Sequence, residues 1–264
     1  MSDTINIQDK NIASDYLLDI AISNTYKNKV AKSFNILGRR SGFTSTSVYN
    51  DVKEYDNTIA TIATLSNSTL DIISSSASDG VAGTGVRSVK VCYLNTSNVI
   101  VESGVIALNG TTLVTSVLTG VNFIYWMESY VVGSGGVAAG NIRLRINGGV
   151  VECEQITLGG NKSRTGAFKI PTGYTGYVTS LQGTAINTSQ DILLRSTVNT
   201  LDRTLSTAFH YVDNLFLPSG INATSNFHSL RFPELSIVKV STLSGALPVA
   251  NRANISFSII LIAD

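Results

Sequence analysis

The sequence predicts an all-β protein, a β-sandwich of jelly-roll type preceded by an extended N-terminal arm. Three observations predict it. Short strand-like runs recur along the chain, each bounded by Gly, Asn or Pro. Charged residues make up only 14% of the 264 positions, against about a quarter in soluble domains. The polar share lies instead in Ser, Thr and Asn, which suit turns and strand faces better than helices. Finally, all four prolines (Pro171, Pro218, Pro233 and Pro248) fall between runs, where a missing backbone donor costs no ladder hydrogen bond.

Residues 1–50 are expected to form the arm, partly irregular or with a short helix. "SDYLLDIAIS" suits a helix with Ser14 as cap and Leu17, Ile20 and Ala21 on one face. "YKNKVAKSFNILGRR" follows, with Lys27, Lys29, Lys32, Arg39 and Arg40, no acid among them, and Phe34 in the same stretch. It reads either as a solvated arm or as one that lies on a neighbouring subunit or acidic partner. Residues 51–264 are expected to form the jelly-roll-like sandwich. "TLDIISSS" and "VRSVKVCYL" open it. Two Asn-Gly pairs, Asn109-Gly110 and Asn147-Gly148, sit between apolar runs and read as hairpin turns. In "NIRLRI", Ile142, Leu144 and Ile146 share one face, and Arg143 and Arg145 the other. "GVNFIYWMESYVV" is apolar on both faces, with Phe123, Tyr125 and Met127 opposed to Ile124 and Trp126. It is expected to be central to a sandwich or covered by another subunit. Later strands are expected at "GYVTSLQGTAI", "DILLRSTV", "FHYVDNLFL", "LSIVKVST" and "ANISFSIILI".

Composition bounds the function. A net charge of +1 argues against general attraction to nucleic acid. No apolar stretch is long enough to span a membrane, and the first ten residues lack a signal-peptide pattern. Cys92 and Cys153 each sit in a strand pattern and read as buried thiols, or as a disulfide if their strands are neighbours.

Two glycine clusters, "DGVAGTGVRSVKV" and "VGSGGVAAGNI", raise the question of phosphate binding. Both run into strands, whereas a phosphate cradle opens a helix. They read as tight β connections, with Asp79 bonding nearby amides and Arg87 pairing with it. Two isolated histidines, His210 and His228, give no zinc spacing, and no cofactor is expected. Glu102, Glu128, Glu152, Glu154, Asp191 and Asp213 are the carboxylates from which a glycoside-hydrolysis pair would be drawn. Such sites usually come with aromatic platforms. The single Trp126 lies in an apolar run and reads as core or interface, so the chain is expected not to be an enzyme.

The chain from Phe34 onward resembles virion structural proteins of aquatic and environmental viruses, chiefly tailed phages. The succession that carries the likeness is "FNILGRRSGF", "IISSSASDGVAGTGVRSVKVCYL", "IALNGTTLVTSV" and "GSGGVAAGNIRL", then "DILLRSTVNT", "FHYVDNLFLPSG", "PELSIVKVST" and "ISFSIILIAD". The resemblance implies a non-enzymatic component located in the virion. The leading expectation is a capsid-associated decoration, vertex or head-fibre subunit. It would bind copies of itself and other virion proteins, the major capsid protein among them, through an arm that includes Lys27, Lys29, Lys32, Phe34, Arg39 and Arg40. A second expectation is a receptor-binding module of a tail or fibre that holds host-surface glycan, with Tyr174 and Tyr177 of "PTGYTGYV" as contacts. A third is a glycan-degrading enzyme on the same particle.

Overall fold

The computed structural model describes residues 31–41, 49–54, 65–148, 151–199, 202, 204–244 and 252–264. The described residues are all-β and contain no helix. The helix expected near Ser14 lies outside them, as do Lys27 and Lys29. In chain order the strands are β1 (Ala31–Ser41), β2 (Asn50–Asp51), β3 (Ser68–Ser74), β4 (Val86–Leu94), β5 (Ile100–Glu102) and β6 (Ile106–Ala107). Then follow β7 (Val114–Val121), β8 (Phe123–Val132), β9 (Ile142–Ile146), β10 (Glu152–Ile156), β11 (Ala167–Lys169) and β12 (Tyr174–Ile186). The last are β13 (Gln190–Val198), β14 (Leu205–Leu217), β15 (Asn222–Phe232), β16 (Ile237–Ser244) and β17 (Arg252–Ala263).

Four sheets result. Sheet A has the order β1-β17-β12-β15, and sheet B the order β11-β16-β13-β14 with β2 also on β16. Because β13 occupies the other edge of β16, β2 and β11 lie end to end along the same edge. Together the two sheets are one nested hairpin: β13 pairs β14, β12 pairs β15, β2 and β11 pair β16, and β1 pairs β17, all antiparallel. Alternation explains the layering. Along β17, Ala253, Ile255, Phe257 and Ile259 point inward while Asn254, Ser256 and Ser258 point out. Phe168, Leu181, Leu194, Val240 and Phe257 meet in a large core between sheets A and B. Burying such side chains contributes about 1.5–3 kcal/mol each.

Residues 65–156 build the other two sheets, inserted between β2 and β11. Sheet C is β10-β9-β3-β7; in sheet D, β5, β6 and β8 all pair β4. Leu70, Ile72, Val89, Val91, Met127 and Leu144 fill a second, smaller core between them. Sheet D has apolar residues on both faces. Val89, Val91, Ile124 and Met127 enter the smaller core, whereas Cys92, Leu94, Phe123 and Tyr125 enter the larger one.

The apolar β8 is therefore covered on both sides within one chain, but its phase differs from simple alternation. Cys92 faces Trp126 and Tyr93 faces Ile124, leaving Tyr125 as an extra residue. This bulge inverts the alternation beyond it. Trp126 joins Tyr125 against the larger core, and Met127 crosses to the side of Ile124.

Two further expectations need correction. Asn147-Gly148 does close the β9–β10 hairpin, with Gly148 at φ +70°. Asn109-Gly110 does not close one: β6 pairs β4 in sheet D while β7 pairs β3 in sheet C. That turn carries the chain from one sheet to the other. Part of the stretch expected to be arm, residues 1–50, is also regular strand. From Ala31 the chain is an edge strand of sheet A, in register with β17 over all of β1. The alternation of Phe34, Ile36, Gly38 and Arg40 with Asn35, Leu37 and Arg39 fits this strand.

Candidate functional site

The two glycine-rich loops that the sequence singles out meet at one side chain. The Asp79 carboxylate is fully buried. It accepts from the amides of Val86 (2.8 Å), Ala139 (2.9 Å) and Gly140 (2.8 Å) and from the Ser74 hydroxyl (2.7 Å). One side chain thus ties both glycine-rich loops together. A Cβ on Gly85 would lie 2.1 Å from its Oδ1, so only glycine fits there. These amides meet a carboxylate of the chain itself, which leaves them unavailable to a phosphate. Arg87 does not pair with Asp79; its Nε donates to the Gly83 carbonyl at 2.9 Å.

A buried polar cluster joins the two halves of the molecule. Residues 50–54 are buried throughout, and their side chains dock in different directions. The Asp51 carboxylate meets Lys239 Nζ at 2.8 Å and the Ser241 hydroxyl at 2.9 Å in sheet B. Lys53 reaches the inserted half. Its Nζ donates to the Cys153 carbonyl and lies 3.9 Å from Glu154, with both side chains 1% exposed. Glu54 sits 3.6 Å from both Arg39 and Arg164. Thr165 completes the cluster, its hydroxyl 2.9 Å from Glu154 and 2.7 Å from the Tyr125 carbonyl. Burial raises the Glu154 carboxyl above its ordinary range, and the Lys53 charge opposes that rise. The backbone is equally tight. A Cβ on Gly166, at φ +63°, would lie 1.9 Å from the Val52 carbonyl oxygen.

The cavity beside Lys53 and Glu154 is only about 10 Å³, room for about one water. It admits no substrate, so the cluster acts as a latch between the halves. Sequence inspection missed Lys53 because its partner lies about a hundred residues away. One signal was present: "ECEQ" places two carboxylates within an otherwise strand-like run, and all of β10 is buried.

Of the expected assembly residues, the four that the structure describes, Lys32, Phe34, Arg39 and Arg40, do not share one surface. Lys32 is exposed on β1, its Nζ 5.5 Å from the Tyr174 ring centroid. Phe34 is half-buried among Trp126 and Phe168, with centroids 6.3 and 5.2 Å away. Arg39 faces Glu54, and Arg40 is buried at 1% exposure, where the Asp51 charge offsets part of its desolvation. Strand alternation sends Arg39 and Arg40 to opposite faces. Tyr174 and Tyr177 are likewise three residues apart on a strand and face opposite ways. Tyr174 packs on the larger core, so the two rings make no shared platform.

Of the carboxylates considered for hydrolysis, Glu102 pairs with Lys90 (2.5 Å), Glu128 with Lys162 (3.4 Å), and Glu152 with Arg143 and Arg145 (3.3 and 2.8 Å). No group of metal-ligating side chains occurs among the described residues. Cys92 and Cys153 are free and buried, and burial pushes each thiol up to about 12. No helix among the described residues is long and apolar enough to cross a membrane.

Two open hollows lie among the described residues. One, of about 220 Å³, lies where β1 meets the inserted half, between Phe34, Asn35, Trp126 and Lys162. Lys162 Nζ stands 4.5 Å over the Trp126 ring. The other, of about 450 Å³, lies on the outer face of sheet A. Leu37 lines both.

No protein-family model matches the chain, and no curated protein matches it. Among solved structures, the chain is similar to the Gx strain of infectious bursal disease virus. That alignment has 11% identity and a TM-score of 0.27, covering 89% of this chain and 72% of the other. The VP2 subviral particle of the same virus aligns at 11% identity and a TM-score of 0.26, covering 89% and 71%. Scores this low assign neither a shared fold nor a shared role.

Proposed function

We propose that the chain is a non-enzymatic virion structural protein. In this reading it is a capsid-associated subunit (decoration, vertex or head-fibre) whose sheets A and B form a jelly roll. Its copies assemble with one another and with the major capsid protein. The strand order is the observation that carries the reading. Counting the positions of the nested hairpin along the chain, with β2 and β11 sharing the second, sheet A reads 1-8-3-6 and sheet B reads 2-7-4-5. A hairpin wound in this way into two facing sheets is the build of jelly rolls, which recur in viral capsid and lectin domains. Fold alone does not give function. The succession of motifs from Phe34 onward adds the virion, and β14 adds assembly. Among the described residues, β14 ends sheet B with an unpaired edge, and it leaves Tyr211 59% and Phe216 58% exposed. Long edges with exposed apolar residues invite pairing with another chain unless they are covered.

Mass in solution tests this. The full chain is expected to run as a discrete oligomer, and Tyr211→Lys with Phe216→Lys is expected to shift it to monomer without loss of fold. A full chain that stays monomeric at high concentration and does not bind capsids overturns the reading. A receptor- or glycan-binding module of a tail or fibre is the second reading. It is favoured by the uncharged amide and hydroxyl side chains that line the hollow on the outer face of sheet A.

A further inference from the structure

The outer face of sheet A carries a chemistry that neither core uses. Register aligns Ser256, Gln182 and Thr224 in one row across β17, β12 and β15, and Asn254, Thr184 and Asn222 in the next. Each alternates with residues buried beneath the sheet, among them Ile255, Phe257, Leu181 and Ala185. All six line the hollow of about 450 Å³, and none of the residues lining it is charged. Thr184 is hydrogen-bonded to Asn222. Among the described residues, the side chains of Gln182, Thr224, Asn254 and Ser256 have no hydrogen-bond partner of their own.

This inventory selects its ligand. The lining of the hollow holds no charge for a phosphate, sulfate or acidic peptide to pair with; the cations beside it on this face, Arg39 and Arg252, stand at its rim, and Arg39 is engaged by Glu54. With Leu37 at its margin as the one large exposed apolar side chain, an apolar protein surface or a lipid gains little by covering it. Amides and hydroxyls offer donors and acceptors side by side, as do the hydroxyl groups of a sugar. Neighbouring strands stand about 4.8 Å apart, so the free groups form a regular lattice that a polymer of hydroxylated units can follow.

We propose that this face binds a neutral oligosaccharide, held by hydrogen bonds from Gln182, Asn254, Thr224 and Ser256. The proposal rests on the glycan-binding reading but moves its site away from Tyr174 and Tyr177, and it is independent of capsid assembly. Each site is weak because its hydrogen bonds replace those to water. Repetition of the site across an oligomer multiplies the avidity.

The test is affinity electrophoresis of the full chain in native gels cast with dextran, galactomannan or β-1,3-glucan, and with dextran sulfate as the charged control. At least one neutral polymer should retard the protein, and dextran sulfate should add nothing. Gln182→Ala with Asn254→Ala should weaken retardation at least tenfold. Thr224→Lys, an exposed change that leaves the core intact, should do the same. Tyr177→Ala should not. If retardation survives both face variants but is lost with Tyr177→Ala, the site is wrong and the glycan reading stands. Should no neutral polymer retard the chain, or dextran sulfate alone retard it, both fall.

Discussion

Asp79 shows how one side chain substitutes for a ligand. Its two oxygens satisfy three amides and a hydroxyl, so Asp79→Ala orphans several groups inside the protein. Each orphaned buried donor costs about 1–3 kcal/mol, and a total of at least about 3 kcal/mol is expected by urea unfolding, with Asp79→Asn intermediate. The two thiols give a second expectation. With pKa values pushed up to about 12, neither should react with a disulfide reagent at pH 8 until the protein is unfolded, when both should.

Glu154 gives the third. Burial holds its carboxyl above the ordinary 4.5, so between 4.5 and the raised value the folded state binds more protons than the unfolded one. Stability should therefore fall as pH rises through that window. Glu154→Gln should abolish this slope, and Lys53→Met should extend the window upward by removing the opposing charge. Unfolding midpoints measured from about pH 4.5 to 8 check the sign.

At the scale of elements, β1 is the strand that sequence reading placed least well. Its basic residues suggested an arm, yet its alternation was present in "FNILGRR" and its pairing to β17 is complete. What hid it was Arg40, a buried cation whose neighbour Asp51 lies in another strand. Removing residues 1–41 should abolish folding of sheets A and B, because it strips β17 of its partner and the larger core of Ile36. Circular dichroism checks it. The strands themselves were legible wherever alternation was clean, as in β4, β9 and β17. A bulge was not, because an inserted residue such as Tyr125 leaves no mark on composition. Nor was the sheet to which each strand belongs: Asn109-Gly110 has the residues of a hairpin turn, but the partners of β6 and β7 lie far along the chain.

For the molecule as a whole, the all-β character was readable from turn chemistry and low charge, whereas the division into two cores was not. Both halves use the same residue types, and the boundary between them is a latch of long-range ion pairs rather than a linker rich in Pro or Gly. The candidate glycan face escaped for a related reason. Ser256, Gln182 and Thr224 become neighbours only through register.

The nested hairpin also fixes an order in time. The described residues that fill the smaller core lie between Leu65 and Ile156, so that half can fold while synthesis continues. Sheet A must wait for β17, which ends at Ala263, before β1 gains its one neighbour among the described strands of the sheet. Contacts of such wide sequence separation form slowly. A nascent chain should therefore leave the ribosome with its middle finished and its two ends still searching for each other. In that interval β1 is the strand another copy can capture.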